Sequence, residues 1–208
     1  MTTIDTLLDE LANEGASPPA NARWRFAAPL ATALLACAAG VAVVLDGAFA
    51  SVVDAGMGPI FVKWGFSIAL LLLSAIALWV LGRPGRPNRA ALATIAVPFL
   101  LAAALLAVDL VMATPVFPGE TWRQCLTAMV VMSPIAFAGA ILGARWLAPT
   151  NLRRAGFVAG IFGGAVAMTA YAPYCPERGM VYMAVFYVLP ILTMAGIGWL
   201  LGPRLLRW

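Results

Sequence analysis

Ala155-Gly156-Phe157-Val158-Ala159-Gly160-Ile161-Phe162-Gly163-Gly164-Ala165-Val166-Ala167-Met168-Thr169-Ala170-Tyr171-Ala172 is the stretch whose reading decides the fold. It carries no charge. Its length sits at the lower edge of what a bilayer-crossing helix needs, roughly 17–25 apolar residues. The same run could serve as the buried helix of a soluble core, but only inside a shell of charged surface. The chain has no such shell: 11% of its 208 residues are charged and 63% are hydrophobic, against about a quarter charged in soluble domains. Its mean hydropathy is +0.94. The stretch therefore reads as a membrane helix. Gly156, Gly160 and Gly164 recur every fourth residue, a spacing that lets helix backbones approach closely, so this helix is expected at the centre of a bundle.

Working outward, five more apolar runs appear, near 26–45, 60–81, 91–112, 124–144 and 180–201. Six spans use about 120 residues and leave no room for a separate soluble domain. The expected fold is an all-α membrane protein of six transmembrane helices arranged as three hairpins. Residues 1–25 form a cytoplasmic tail and 26–208 the membrane domain. Ala48-Phe49-Ala50 resembles a signal-peptidase site, but the run before it exceeds the usual h-region of about 7–15 residues. The segment ahead is long and acidic, so the first run reads as a retained helix. Pro98, Pro134 and Pro190 lie inside the third, fourth and sixth runs, where proline bends a helix and leaves a carbonyl without its usual donor.

Basic residues set the orientation. Ten of the 13 Lys and Arg fall on one side: Arg23, Arg25, Arg83, Arg86, Arg89, Arg145, Arg153, Arg154, Arg204 and Arg207. Lys63, Arg123 and Arg178 fall on the other. Positive charge marks the cytoplasmic face, so both termini are expected inside a bacterial inner membrane. The seven tryptophans cluster near run ends, where amphipathic rings sit among headgroups. The net charge of +4 and pI near 9.3 follow from this topology; no direct nucleic-acid partner is expected. Histidine is absent, which removes most metal-site and acid–base chemistry.

Few residues carry chemistry. Asp109 is the acidic residue inside a run, and an intramembrane carboxylate is a candidate for an ion or proton path. Cys37, mid-run among alanines, reads as a small buried apolar residue. Cys125 follows Trp122-Arg123-Gln124, and Cys175 lies in Pro173-Tyr174-Cys175-Pro176-Glu177-Arg178. Both fall on the face opposite the basic loops, which in bacteria is the oxidising periplasm. Arg123 and Arg178 are near in sequence and could favour a thiolate. On residues alone the pair reads equally as a reactive couple, a static disulfide or two unrelated thiols.

The whole chain resembles the NrsF family of integral-membrane anti-sigma factors. The resemblance rests on Trp122-Arg123-Gln124-Cys125, on Cys175-Pro176-Glu177, on the ending Leu201-Gly202-Pro203-Arg204-Leu205-Leu206-Arg207-Trp208, and on a leucine-rich tail before the first helix. It implies a non-enzymatic regulator without cofactor. Such a protein holds an extracytoplasmic-function sigma factor at the membrane and releases it under oxidative or heavy-metal stress. Sensing would fall to Cys125 and Cys175, with Trp122, Arg123, Pro176, Glu177 and Arg178 around them. A histidine often precedes the second cysteine in the family; here that position is Tyr174. This weakens metal coordination by Cys125 and Cys175 more than thiol oxidation, because two thiolates are a thin ligand set. The two sulfurs are expected within disulfide reach of each other.

The tail fits a binding role on its own pattern. Ile4, Leu7, Leu8 and Leu11 share one helical face, with Asp5, Asp9, Glu10 and Glu14 flanking or opposing it. So short a helix is marginal alone and would fold on a partner's groove; otherwise it stays a disordered tail. Two other classes compete. A membrane thiol–disulfide oxidoreductase would use a C-x-x-C pair, absent here. A small transporter would need polar residues at mid-membrane, and beyond Asp109 few exist. The residues leave the oligomeric state open.

Overall fold

The computed structural model describes residues 21–49, 57–83, 89–112, 119–147 and 149–207. Six helices in it are long and apolar enough to cross a membrane: α1 Ala22–Val44, α2 Gly58–Leu81, α3 Arg89–Met112, α4 Trp122–Arg145, α5 Leu152–Tyr171 and α6 Met180–Leu205. No strand occurs among the described residues. The boundaries agree with the apolar runs to within a few residues. Where the helices extend further, they take in polar or aromatic turns such as Ala22–Arg25 and Leu152–Arg154, which continue the hydrogen-bonded ladder beyond the apolar stretch.

The glycine-rich stretch is the axis of the molecule. In α5, continued by the short 3-10 turn Ala172–Tyr174, 89% of its most apolar window is buried, against 11% in α3. It packs against α6, α4, α2 and α1. A Cβ at Gly156 would strike the Gly198 carbonyl of α6, and one at Gly160 would strike the Met194 carbonyl. At Gly164 it would lie 2.7 Å from the Ile191 side chain. The three glycines expected to admit a close neighbour therefore all face α6. Gly163 does the same for α4, where a Cβ would come within 2.7 Å of the Ser133 carbonyl. Bare backbone on one helix lets the other approach until dispersion contacts run continuously along the pair, the dominant attraction between helices in lipid.

Of the consecutive pairs expected as hairpins, α5–α6 is packed along its length. α1 instead lies chiefly against α4 and α5, and α2 against α5 and α3. The central helix is apolar and buried around its whole circumference, so it draws neighbours from both ends of the sequence. α1 and α4 are close where Gly139 and Gly143 meet the carbonyls of Pro29 and Phe26. Further along they border an apolar cleft of about 500 Å³ lined by Cys37, Val41 and Met132.

Two ends are distinct. At one, arginines stack on tryptophans: Arg25 over Trp146 at 4.7 Å, Arg83 over Trp79 at 4.4 Å and Arg153 over Trp199 at 4.8 Å. The other end carries the starts of α2, α4 and α6 and the segment 172–179 that joins α5 to α6. In α6, residues Ala184–Val188 form a π-helical turn just before Pro190. The wider turn absorbs the residue that cannot donate an amide hydrogen.

Candidate functional site

Both cysteine motifs converge at the second end. Cys125 sits in the first turn of α4 and Cys175 follows the 3-10 turn, so 50 residues of chain separate them, yet each is buried, at 0% and 3% exposure. Both are free thiols. Glu177 is what fastens one motif to the other. Its Oε1 accepts the Glu120 N–H at 2.8 Å, the Thr121 N–H at 3.2 Å and the Thr121 hydroxyl at 3.3 Å. Thr121 is the N-cap residue of α4 and makes no cap bond from its own side chain. Glu177 thus supplies the anion that a helix N-terminus attracts. Gly119 makes room for it: its φ is +81°, and a Cβ there would lie 2.8 Å from the Glu177 carboxylate. Only glycine satisfies both demands without strain.

Three tyrosines surround the thiols. Tyr171, Tyr182 and Tyr187 are buried. The buried Tyr187 hydroxyl has no hydrogen-bond partner among the described residues, and it is close enough to feel the charge of both Cys125 and Cys175. The Tyr182 hydroxyl pairs with the Thr121 hydroxyl at 3.3 Å. The rings of Tyr182 and Phe186 are 4.7 Å apart, and Trp122 stands 6.2 Å from Phe186. The Cys125 Sγ donates to the Phe186 carbonyl at 3.6 Å. That carbonyl is the i−4 partner of Pro190, which has no N–H to give it. Where the sequence favours a plain packing bend at Pro190, the carbonyl one turn before it takes a cysteine as its donor.

Other expectations shift once the helices pack. Arg123 and Arg178, adjacent to the cysteines in sequence, are exposed, and Arg123 rests over Trp122 at 5.3 Å. Pro176 is exposed as well. The cation that is buried beside the thiols is Lys63 of α2, 5% exposed, whose Nζ donates to the Cys175 carbonyl at 3.0 Å and which acts electrostatically on Cys125. Its sequence signal was its place inside the apolar run 60–81 rather than in a loop. Asp109, the candidate for an ion path, accepts the Met180 N–H at 2.9 Å and caps the start of α6. Cys37 is buried and donates to the Met132 carbonyl at 3.7 Å, apart from the other two. Among the described residues no three His, Cys, Asp or Glu side chains come together to hold a metal ion. Ile4, Leu7, Leu8 and Leu11 lie outside the described residues.

Comparison with known proteins bears on this arrangement. A family model described as NrsF, negative regulator of sigma F, matches residues 11–208. The chain belongs to the NrsF family. It is 34% identical to a probable anti-sigma-F factor NrsF of Azospira oryzae over all of both chains. It is 33% identical to an anti-sigma-F factor NrsF of Caulobacter vibrioides, covering 98% of this chain and 99% of that one. Both relatives are named as regulators of a sigma factor, not as enzymes. No solved structure matches the chain. In this member of the NrsF family the two cysteine motifs share one polar clasp, the Glu177 carboxylate on the start of α4.

Proposed function

We propose that this NrsF protein is an anti-sigma factor of the bacterial inner membrane, with both termini in the cytoplasm. It holds an extracytoplasmic-function sigma factor through the tail, residues 1–25, and releases it on oxidative or heavy-metal stress sensed at Cys125 and Cys175. The observation that carries this reading is the burial of both thiols at one end of the bundle, where Glu177 of the Cys175 segment bonds the start of the helix that carries Cys125. A static pair of unrelated thiols gives no reason for such convergence across 50 residues. Chemistry at Cys175 acts on the segment 172–179. That segment is tied by Glu177 to α4, by Lys63 to α2 and by Asp109 at Met180 to α3. Any change of its shape must move helix starts that continue, through rigid rods, to the opposite end.

The test uses full-length protein in membranes and its cognate sigma factor. Wild type is expected to capture the sigma factor and to lose it on addition of oxidant or thiophilic metal. With Cys125→Ser and Cys175→Ser together, capture should persist under both stresses. A double variant that still releases its partner normally would remove sensing from these residues.

A further inference from the structure

The segment that carries Cys175 is gripped along its length by groups from four other parts of the chain. The Phe49 N–H bonds the Pro173 carbonyl at 2.9 Å. Lys63 bonds the Cys175 carbonyl at 3.0 Å. Glu177 closes on the start of α4, and Asp109 receives the Met180 N–H. Among these, Lys63 stands out energetically. Its ammonium is buried, and among the described residues it bonds a carbonyl and no carboxylate. Burying a cation is costly unless it is fully compensated. That this buried cation sits on the carbonyl of the residue carrying the second thiol calls for an explanation beyond stability.

The geometry around Cys175 supplies one. Its N–H donates to the Ala172 carbonyl at 3.3 Å and its carbonyl receives Lys63. Both backbone polar groups are thus anchored, and the residue keeps only the rotation of its side chain. Glu177, two residues on, bonds the start of α4 four to five residues before Cys125, so the buried Cys175 thiol is held at the same end of the bundle as Cys125.

We propose that Lys63 is the positioning residue of the sensing pair, its charge-assisted bond to the Cys175 carbonyl holding that thiol opposite Cys125 so that the two can be joined by oxidation. This rests on the reading of Cys125 and Cys175 as a redox couple. The reaction it serves takes a two-electron oxidant, such as an azodicarboxamide. One S–S bond forms, two S–H bonds break, and the N=N group takes up both hydrogens to become the hydrazine.

The experiment uses the intact protein in detergent, in a Cys37→Ser background so that only the pair reports. Bridge formation with diamide is followed by loss of both thiols to a mass-tagged maleimide under denaturing conditions. Lys63→Met fills the same space without charge and should slow bridging about tenfold to a hundredfold, the range for losing a hydrogen bond from a charged group. Lys63→Arg restores a cationic donor and should recover most of the rate, which a merely space-filling role would not require. If Lys63→Met does not fold, Lys63→Gln is read in its place, with slower bridging again expected. A parent that bridges and a Lys63→Met or Lys63→Gln protein that bridges equally fast overturn the role of Lys63 alone. A folded parent that forms no bridge overturns the redox couple and this role with it.

Discussion

At the residue scale, Glu177 is the side chain on which the site depends. One carboxylate oxygen takes three donors from the start of α4; because they share that one oxygen on a half-buried side chain, together they count as about one charged hydrogen bond, about 1.5–3 kcal/mol. Glu177→Ala should therefore lower the stability of the purified protein by about 1.5–3 kcal/mol. It should also make Cys125 and Cys175 more accessible to a soluble maleimide, because the segment 172–179 is no longer held to α4. Melting in detergent and the rate of thiol labelling measure the two effects separately. Unchanged labelling would mean that Lys63 and the Phe49 amide suffice to hold Cys175. Gly119 belongs to the same unit, since its left-handed backbone and its missing Cβ are what let the carboxylate approach.

At the element scale, α5 and α6 form the rigid centre, and the tail is proposed as the working arm. The glycines of α5 and the backbone of α6 meet so closely that neither helix can rotate without the other. Motion begun at the segment between them is best passed on as a shift of the peripheral helices, of which α3 is the least buried. The proposed arm folds on its partner and buries Ile4, Leu7, Leu8 and Leu11. Burying each leucine-sized side chain contributes about 1.5–3 kcal/mol before the cost of ordering the segment. Leu7→Asp with Leu11→Asp should weaken sigma-factor capture by at least about a hundredfold on that scale, and in cells should leave the target genes on without stress. Pull-down with the full-length double variant measures it. Capture equal to wild type would move the contact to the arginine-rich loops.

At the scale of the whole molecule, the asymmetry of charge predicts orientation. Ten basic residues on one side against three on the other predict both termini in the cytoplasm. Alkaline phosphatase fused after Trp208 should be inactive, and a fluorescent protein fused there should be bright; phosphatase activity would invert the topology. With that orientation the thiols lie towards the oxidising compartment, while Arg25, Arg83 and Arg153 stack on tryptophans at the cytoplasmic headgroups, where such pairs anchor helix ends.

The number of helices, their approximate ends and the central place of 155–172 were all legible in the amino-acid sequence. Hydropathy over about 20 residues and a four-residue glycine spacing are local signals, and a helix satisfies its backbone hydrogen bonds within itself. So was the candidacy of Cys125 and Cys175, on motifs that read in one dimension. What surrounds the thiols was not legible. Lys63 comes from α2, 112 residues from Cys175, and Phe186 meets Cys125 across 61 residues, while the two arginines near the cysteines in the chain are exposed. The role of Asp109 was equally hidden, because a carboxylate that caps another helix looks the same in sequence as one that lines an ion path. Periodicity tells which face of a helix is apolar; only packing decides which helix that face meets, and hence which charge is buried beside which thiol.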